Sequence, residues 1–405
     1  MSTAPPRAGR PLTSLLPALA LLGLAGLAMR IPILATPPLL PLIREDLGMS
    51  EAQIGALVGL PLALFALAAV PGSLLVARLG AGATLLAGLF IVAVASGARG
   101  LTSGVWPLYL ATIFTGLGVA VMQPAVPRLV REWVPERIGL GTAIYTNGMM
   151  TGALTPIALT SVLVMPLVGY SWRADLLVWA APVLLIAAIM TGALPMLPRC
   201  KATAERLPDR WWPDWRSGRT WMLGLTFGSN NSLYYALSAV LPEFLSHGGR
   251  GHLIGGALLW LNMGQIVALA LLLWLADRML HRAWPYLLFG LCGFVGVVAL
   301  AYADGVWLIA ASGLVGIASA VTFGTTLALP PSLSRPDDVH RTAAGMFTIG
   351  YTCAVVVPIV CGALWDHLGI PRAAFVPIGV CTLGLTILGS AMSRYRPPAA
   401  SAAPT

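Results

Sequence analysis

Long apolar runs recur from residue 15 almost to residue 393, and they constrain this chain more than any other feature. Many are about 20 residues or longer, the length an α-helix needs to cross a roughly 30 Å hydrocarbon layer. One large buried core does not call for so many long runs. The runs are continuously apolar and do not alternate, which argues against a β-barrel. Charged residues make up 10% of the chain, against about 25% in soluble domains, too few to cover a water-facing surface. The 44 glycines and 32 prolines would disrupt a soluble helical protein. Membrane helices tolerate both, because neighbouring helices and water satisfy the freed backbone groups. The fold class is therefore an all-α integral membrane protein.

The runs resolve into twelve spans, at roughly 15–42, 53–76, 82–98, 105–129, 138–166 and 172–196, then 219–246, 253–275, 283–301, 305–330, 341–364 and 371–393. The split between the ninth and tenth rests on Ala303-Asp304-Gly305. With the N-terminus in the cytoplasm, 18 of the 24 Lys and Arg residues fall on the cytoplasmic side. Arg44, Arg99, Arg173, Arg250 and Arg372 go to outer loops, and Arg30 to the inside of a span. That skew is the positive-inside pattern and puts both termini in the cytoplasm. The domains expected are a tail (1–14), a six-helix bundle (15–196), a cytoplasmic linker (197–218), a second six-helix bundle (219–393) and a tail (394–405). Trp211, Trp212 and Trp215 in the linker suit a segment lying at the membrane interface. The net charge of +9 is spread over short loops and does not form a nucleic-acid surface. Four of the five cysteines, Cys292, Cys353, Cys361 and Cys381, lie in apolar segments, and with Cys200 they match no metal-knuckle spacing.

The two halves repeat weakly at an offset near 200 residues. Ile54-Gly55 corresponds to Ile254-Gly255, Leu40-Pro41 to Leu241-Pro242, and Pro127, Leu129 and Arg131 to Pro331, Leu333 and Arg335. A duplicated six-helix unit can rock about a central cavity and expose it to each side in turn. This favours a carrier over a pore.

On these residues the chain resembles the major facilitator superfamily, and within it the cyanate and nitroimidazole transporter (CynX/NimT) branch. The matching segments are Ala28-Met29-Arg30-Ile31-Pro32, Pro38 through Arg44, Met49-Ser50 through Ile54-Gly55, and Asn230 through Tyr235 followed by Leu241-Pro242. The resemblance implies the twelve-helix fold, a bacterial inner-membrane location, a lipid bilayer as surroundings and a functional monomer. The superfamily's loop motif between spans 2 and 3 is altered. Ala77 replaces its acidic residue beside Arg78, whereas the second half keeps Asp277-Arg278. Inner gating is expected from Arg78, Arg131, Asp277 and Arg278, with Asp277 and either Arg131 or Arg137 carrying most of it.

Arg30 is the most informative residue. A guanidinium deep in a span is costly against lipid and must face a cavity or a partner. Its planar fork suits a carboxylate-like anion. Two roles fit: contact with substrate, or a salt bridge or carbonyl cap across the bundle. In span 7, Asn230 and Tyr234 share a face, as do Asn231 and Tyr235. Amides and phenols there can orient a flat polar solute, or simply join helices. Asn262, with Gln265 three residues on, and Gln123, Asn147 and Tyr351 are further cavity candidates. Gly148 and Gly152 form a small-residue step suited to helix packing. Glu243 is the candidate for proton coupling.

No catalytic motif, phosphate loop or metal set is present, so the expectation is a non-enzyme without cofactor, driven by gradients. The expected function is secondary transport of a small planar anionic or polar organic solute, with proton symport, uniport and exchange all open. The alternatives are an exporter of neutral heterocycles or lipophilic drugs, and a non-transporting sensor.

Overall fold

The computed structural model describes residues 12–196 and 211–392. It is built from twelve long helices: α1 (Leu12–Leu34), α2 (Glu51–Leu79), α3 (Ala81–Gly100), α4 (Val105–Met122), α5 (Ile138–Leu159), α6 (Trp172–Ala193), α7 (Gly218–His247), α8 (Ile254–Met279), α9 (Trp284–Tyr302), α10 (Gly305–Leu327), α11 (Val339–Leu368) and α12 (Phe375–Met392). Eleven spans among the described residues are long and apolar enough to cross a membrane. The remaining long helix, α7, falls outside that set because Ser229-Asn230-Asn231-Ser232 and Tyr234-Tyr235 occupy its middle.

Local signals set the helix ends. Ser50 caps α2, its hydroxyl accepting from Gln53 N–H at 3.2 Å while Gln53 Oε1 accepts from Ser50 N–H at 2.9 Å, a reciprocal capping box. Asp304 accepts from Gly305 N–H at 2.9 Å, so the chain turns between α9 and α10 where Ala303-Asp304-Gly305 was expected to turn it. Several expected spans are not single helices. α1 stops at Leu34, and the chain re-forms a short helix at Leu40–Leu47 after the Pro37-Pro38 break. α5 runs on through a wider turn at Thr160–Val164. α4 and α10 are each followed by a short helix, Ala125–Trp133 and Leu329–Leu333.

The duplication is visible in three dimensions. α1 packs on α5 as α7 packs on α11, α2 on α4 as α8 on α10, and α3 on α6 as α9 on α12. The repeated Pro-x-Leu segments fall on the two short helices, which pack against each other across the halves. At the opposite end, Arg173 Nε donates to Thr102 O at 2.8 Å and Arg372 Nε donates to Ala301 O at 3.2 Å. The same guanidinium cap thus closes α3 and α9 in the two halves. Between the halves, α2 packs on α11 and α5 on α8.

Backbones meet closely because lipid offers no hydrophobic drive for helix association, and small residues permit close van der Waals packing instead. A Cβ on Gly148 would fall on the backbone carbonyl of Gly23, and one on Gly152 on that of Leu27. The Gly148/Gly152 step is therefore the α1–α5 contact. Gly148→Val is expected to destabilise the N-terminal half by about 1–3 kcal/mol through overpacking. Thermal unfolding in detergent measures it, and an unchanged midpoint would disprove the contact.

Candidate functional site

A cavity of about 330 Å³ lies between the halves, lined by α1, α2, α3, α4 and α5 from one and by α7, α8 and α10 from the other. Its walls run from Arg30 in α1 to Pro37 just beyond it, along α2 from Leu57 to Phe65 and along α5 from Met150 to Ile157. These stretches lie toward the end of the bundle where α1 finishes, here called the upper end. Volumes of this order suit small organic ligands.

Arg30 is 9% exposed and forms part of this lining. Among the described residues, no carboxylate lies within 4 Å of it. Its Nη1 donates to Tyr235 Oη at 3.5 Å, the long limit of a hydrogen bond. Tyr351 and Tyr145 are its other ionisable neighbours. Tyr351 is within hydrogen-bonding reach as well, so neutral phenols are the partners of a group that carries five donors and a charge.

The second half answers with amides and phenols. Asn230, Asn231, Tyr234, Tyr235, Asn262 and Gln265 all line the cavity. Tyr234 Oη donates to Asn262 Oδ1 at 3.0 Å, and Gln265 Nε2 donates to the same oxygen at 3.2 Å. Asn230 Oδ1 accepts from Thr322 Oγ1 at 2.6 Å. The amide nitrogen of Asn231 is buried with no hydrogen-bond partner among the described residues. The rings of Tyr234 and Tyr235 meet edge to face at 5.4 Å.

An aromatic layer floors the cavity. Phe65 and Phe323 line it, and Tyr351 lies between Phe65 at 5.2 Å and Phe227 at 5.8 Å. Phe65 belongs to the first half and Tyr351 to the second, so the layer bridges them. Tyr351 and Gln123 are neighbours in that layer and are not part of the lining. Asn147 is also outside it, because its side-chain nitrogen donates to Ala143 O one turn back at 2.8 Å. Glu243 is exposed and outside the lining too.

Below the floor, polar contacts join the halves at the lower end. Asp277 Oδ1 accepts from Leu140 N–H in the first turn of α5 at 3.0 Å, an anion on the positive end of a helix dipole. Arg128 Nη1 lies 3.2 Å from His340 Nδ1 in α11 and also pairs with Glu132. Arg78 and Arg278 are exposed, and Arg131 is half-buried; none of the three has a hydrogen bond or ion pair among the described residues. Of the residues expected to gate the lower end, Asp277 makes a contact across the halves, and Arg128, not singled out in the sequence, makes another.

Arg99 departs most from its sequence expectation. It does not lie in an outer loop. It sits in the last turn of α3, 2% exposed, and lines the same cavity as Arg30. Asp175 is likewise buried, in the first turn of α6, away from the cavity lining.

Two similar helical halves around one cavity, in contact with each other at one end, are the architecture of a membrane carrier. The chain belongs to the Major Facilitator Superfamily, whose pattern matches residues 18–352. It is a multi-pass secondary transporter and not an enzyme, and its relatives put it with the CynX/NimT branch. It is 28% identical over 378 residues to the cyanate transport protein CynX of Escherichia coli (strain K12), covering 91% of this chain and 95% of that one. To the 2-nitroimidazole transporter of the same strain it is 27% identical over 383 residues, covering 90% and 92%. Among solved structures, the transporter FucP in the outward conformation superposes with a TM-score of 0.74 at 15% identity, covering 94% of this chain and 99% of FucP.

Loss of the Asp277 contact should loosen the lower end without unfolding the protein. For Asp277→Ala, an exposed site, the melting free energy is expected to change within about 0.5 kcal/mol. Spin labels introduced at the exposed Arg137 and Arg278, one on each half, should show a broader and longer distance distribution in the variant. An unchanged distribution would remove Asp277 from the gate.

Proposed function

We propose that this protein carries a small, planar, anionic or strongly polar organic solute across a bacterial inner membrane by alternating access, with both termini in the cytoplasm and the monomer as the working unit. The observation that carries this reading is Arg30: a buried guanidinium in a cavity between the halves, with no carboxylate within 4 Å among the described residues. A charge inside a membrane span costs at least about 2.5–3.5 kcal/mol, and a phenol at 3.5 Å offsets little of that. An anionic ligand would answer the charge. Asn231, with its unpartnered amide nitrogen, and the Tyr234–Asn262–Gln265 group would orient the ligand's polar edge. On this reading the upper end is the outer face, and the protein is drawn open to the outside.

A second reading, export of a neutral heterocycle, is favoured by the aromatic floor and by the 2-nitroimidazole transporter among the relatives. The two part on charge. Calorimetry in detergent with benzoate and 2-nitroimidazole is expected to show benzoate binding to the native protein, with a loss of about tenfold or more in Arg30→Gln, the usual effect of removing a charge-assisted hydrogen bond. Binding of 2-nitroimidazole alone, unaltered in Arg30→Gln, would establish the second reading and remove Arg30 from the site.

For the driving force, Glu243 is exposed and outside the cavity lining, a poor position for a coupled proton. In liposomes under an imposed pH gradient, Glu243→Gln is expected to transport benzoate with the same gradient dependence as the native protein. A lost dependence would restore Glu243 as the proton site.

A further inference from the structure

Arg99 is an expensive residue to bury, and its partners do not explain the whole of its placement. Its Nη1 donates to Thr36 Oγ1 at 2.8 Å and its Nη2 to Pro32 O at 2.6 Å. Both acceptors are neutral. Among the described residues its buried Nε has no hydrogen-bond partner, and no carboxylate pairs with it. A guanidinium carries five N–H donors, so three remain after these two bonds. Capping the broken end of α1 needs donors but not a permanent positive charge.

The second observation is location. Arg99 and Arg30 line one cavity, and no Asp or Glu is among its lining residues. Thr36 lies six positions beyond Arg30 toward the upper end, roughly 9 Å at 1.5 Å per residue. The cavity therefore presents two cationic points at different depths, one near its floor and one near its mouth.

We propose that Arg99 is a second anion-recognition point, and that the preferred ligand class is organic dianions whose two acidic groups are held apart by a rigid, flat body. The inference rests on the reading of Arg30 as an anion site. Arg30 takes the inner acidic group. Arg99 takes the outer one through donors that Thr36 and Pro32 leave over, and the Pro32 carbonyl is enough to hold its fork in place. A monoanion uses Arg30 alone and binds more weakly.

The test is equilibrium binding of benzamide, benzoate and terephthalate to the purified full-length protein, a series on one ring with no, one and two charges. Native protein is expected to rank terephthalate above benzoate above benzamide. In Arg99→Gln, terephthalate should lose about tenfold, falling to the affinity of benzoate, while benzoate changes little. Thr36→Val removes a neutral partner but keeps the guanidinium, and it should retain the preference for terephthalate. If Arg99→Gln keeps that preference, or if Thr36→Val loses it to the same extent, Arg99 only braces α1 and the proposal is overturned. Equal affinity of native protein for benzoate and terephthalate also overturns it. Equal affinity for benzoate and benzamide instead overturns the anion reading of Arg30. Should Arg99→Gln not fold, the native protein supplies the decision with phthalate, isophthalate and terephthalate. Two fixed guanidinium groups select one spacing, whereas a single one ranks the three alike, which would refute a second point.

Discussion

The guanidinium of Arg30 has to be accommodated at the seam between two helical bundles with no carboxylate beside it among the described residues. The polar side chains set into a largely apolar cavity are the consequence of that constraint. Against lipid the charge would be prohibitive. Against well-packed apolar side chains of the other half it would be worse, since nothing there could accept its donors. The other half meets it with Tyr235, and beyond Tyr235 with Asn231, Tyr234, Asn262 and Gln265. Those groups are affordable only because they satisfy one another or face an opening. Asn231, Tyr234 and Tyr235, together with Asn230, are what lower α7 below the apolarity of the other eleven spans.

Duplication supplies the frame, and departures from it supply the chemistry. The same helix pairs pack in both halves, and Arg173 and Arg372 cap equivalent carbonyls. The cavity is not symmetric. Its first-half wall is cationic and its second-half wall is amide and phenol. α1 breaks at Thr36-Pro37 whereas α7 continues through Pro242 to His247. The break in α1 frees the carbonyl of Pro32 to accept from Arg99 and so brings a second cation to the mouth. A helix that ran on unbroken, as α7 does, would have used that carbonyl for its own ladder.

What could be read from the sequence follows from which signals are local. Span length and the turn at Asp304 are local, and the twelve helices agree with them. Arg30 and the Asn/Tyr cluster were legible because a polar group inside an apolar run has few roles open to it. Arg99 was not, because a cation at a span's end normally anchors the helix in water. Its burial depends on α1 folding back over it, which is a tertiary event. Asn147 shows the converse error. An amide in a span can bond its own helix one turn back, and only the structure separates that from a cavity role. Gln123 and Tyr351 lie between these cases, drawn to the floor and not the wall.

Closure at the lower end is built to be reversible. Asp277 meets Leu140 at an exposed site, where water competes for both partners and the contact is worth little. Arg128 and His340 are partly buried, but their contact is a single hydrogen bond between two side chains. The aromatic layer of Phe65, Tyr351 and Phe227 bridges the halves by ring packing, with Arg30 and Gln123 beside the Tyr351 hydroxyl. A ligand that draws Arg30 and the α7 groups together needs to favour the closed cavity by only a few kcal/mol to redistribute two such states. Two anionic contacts at the two depths of the cavity would supply that difference while touching both the floor and the mouth. The elements that bind would then be the elements that close, which is how a carrier couples occupancy to the side on which it opens.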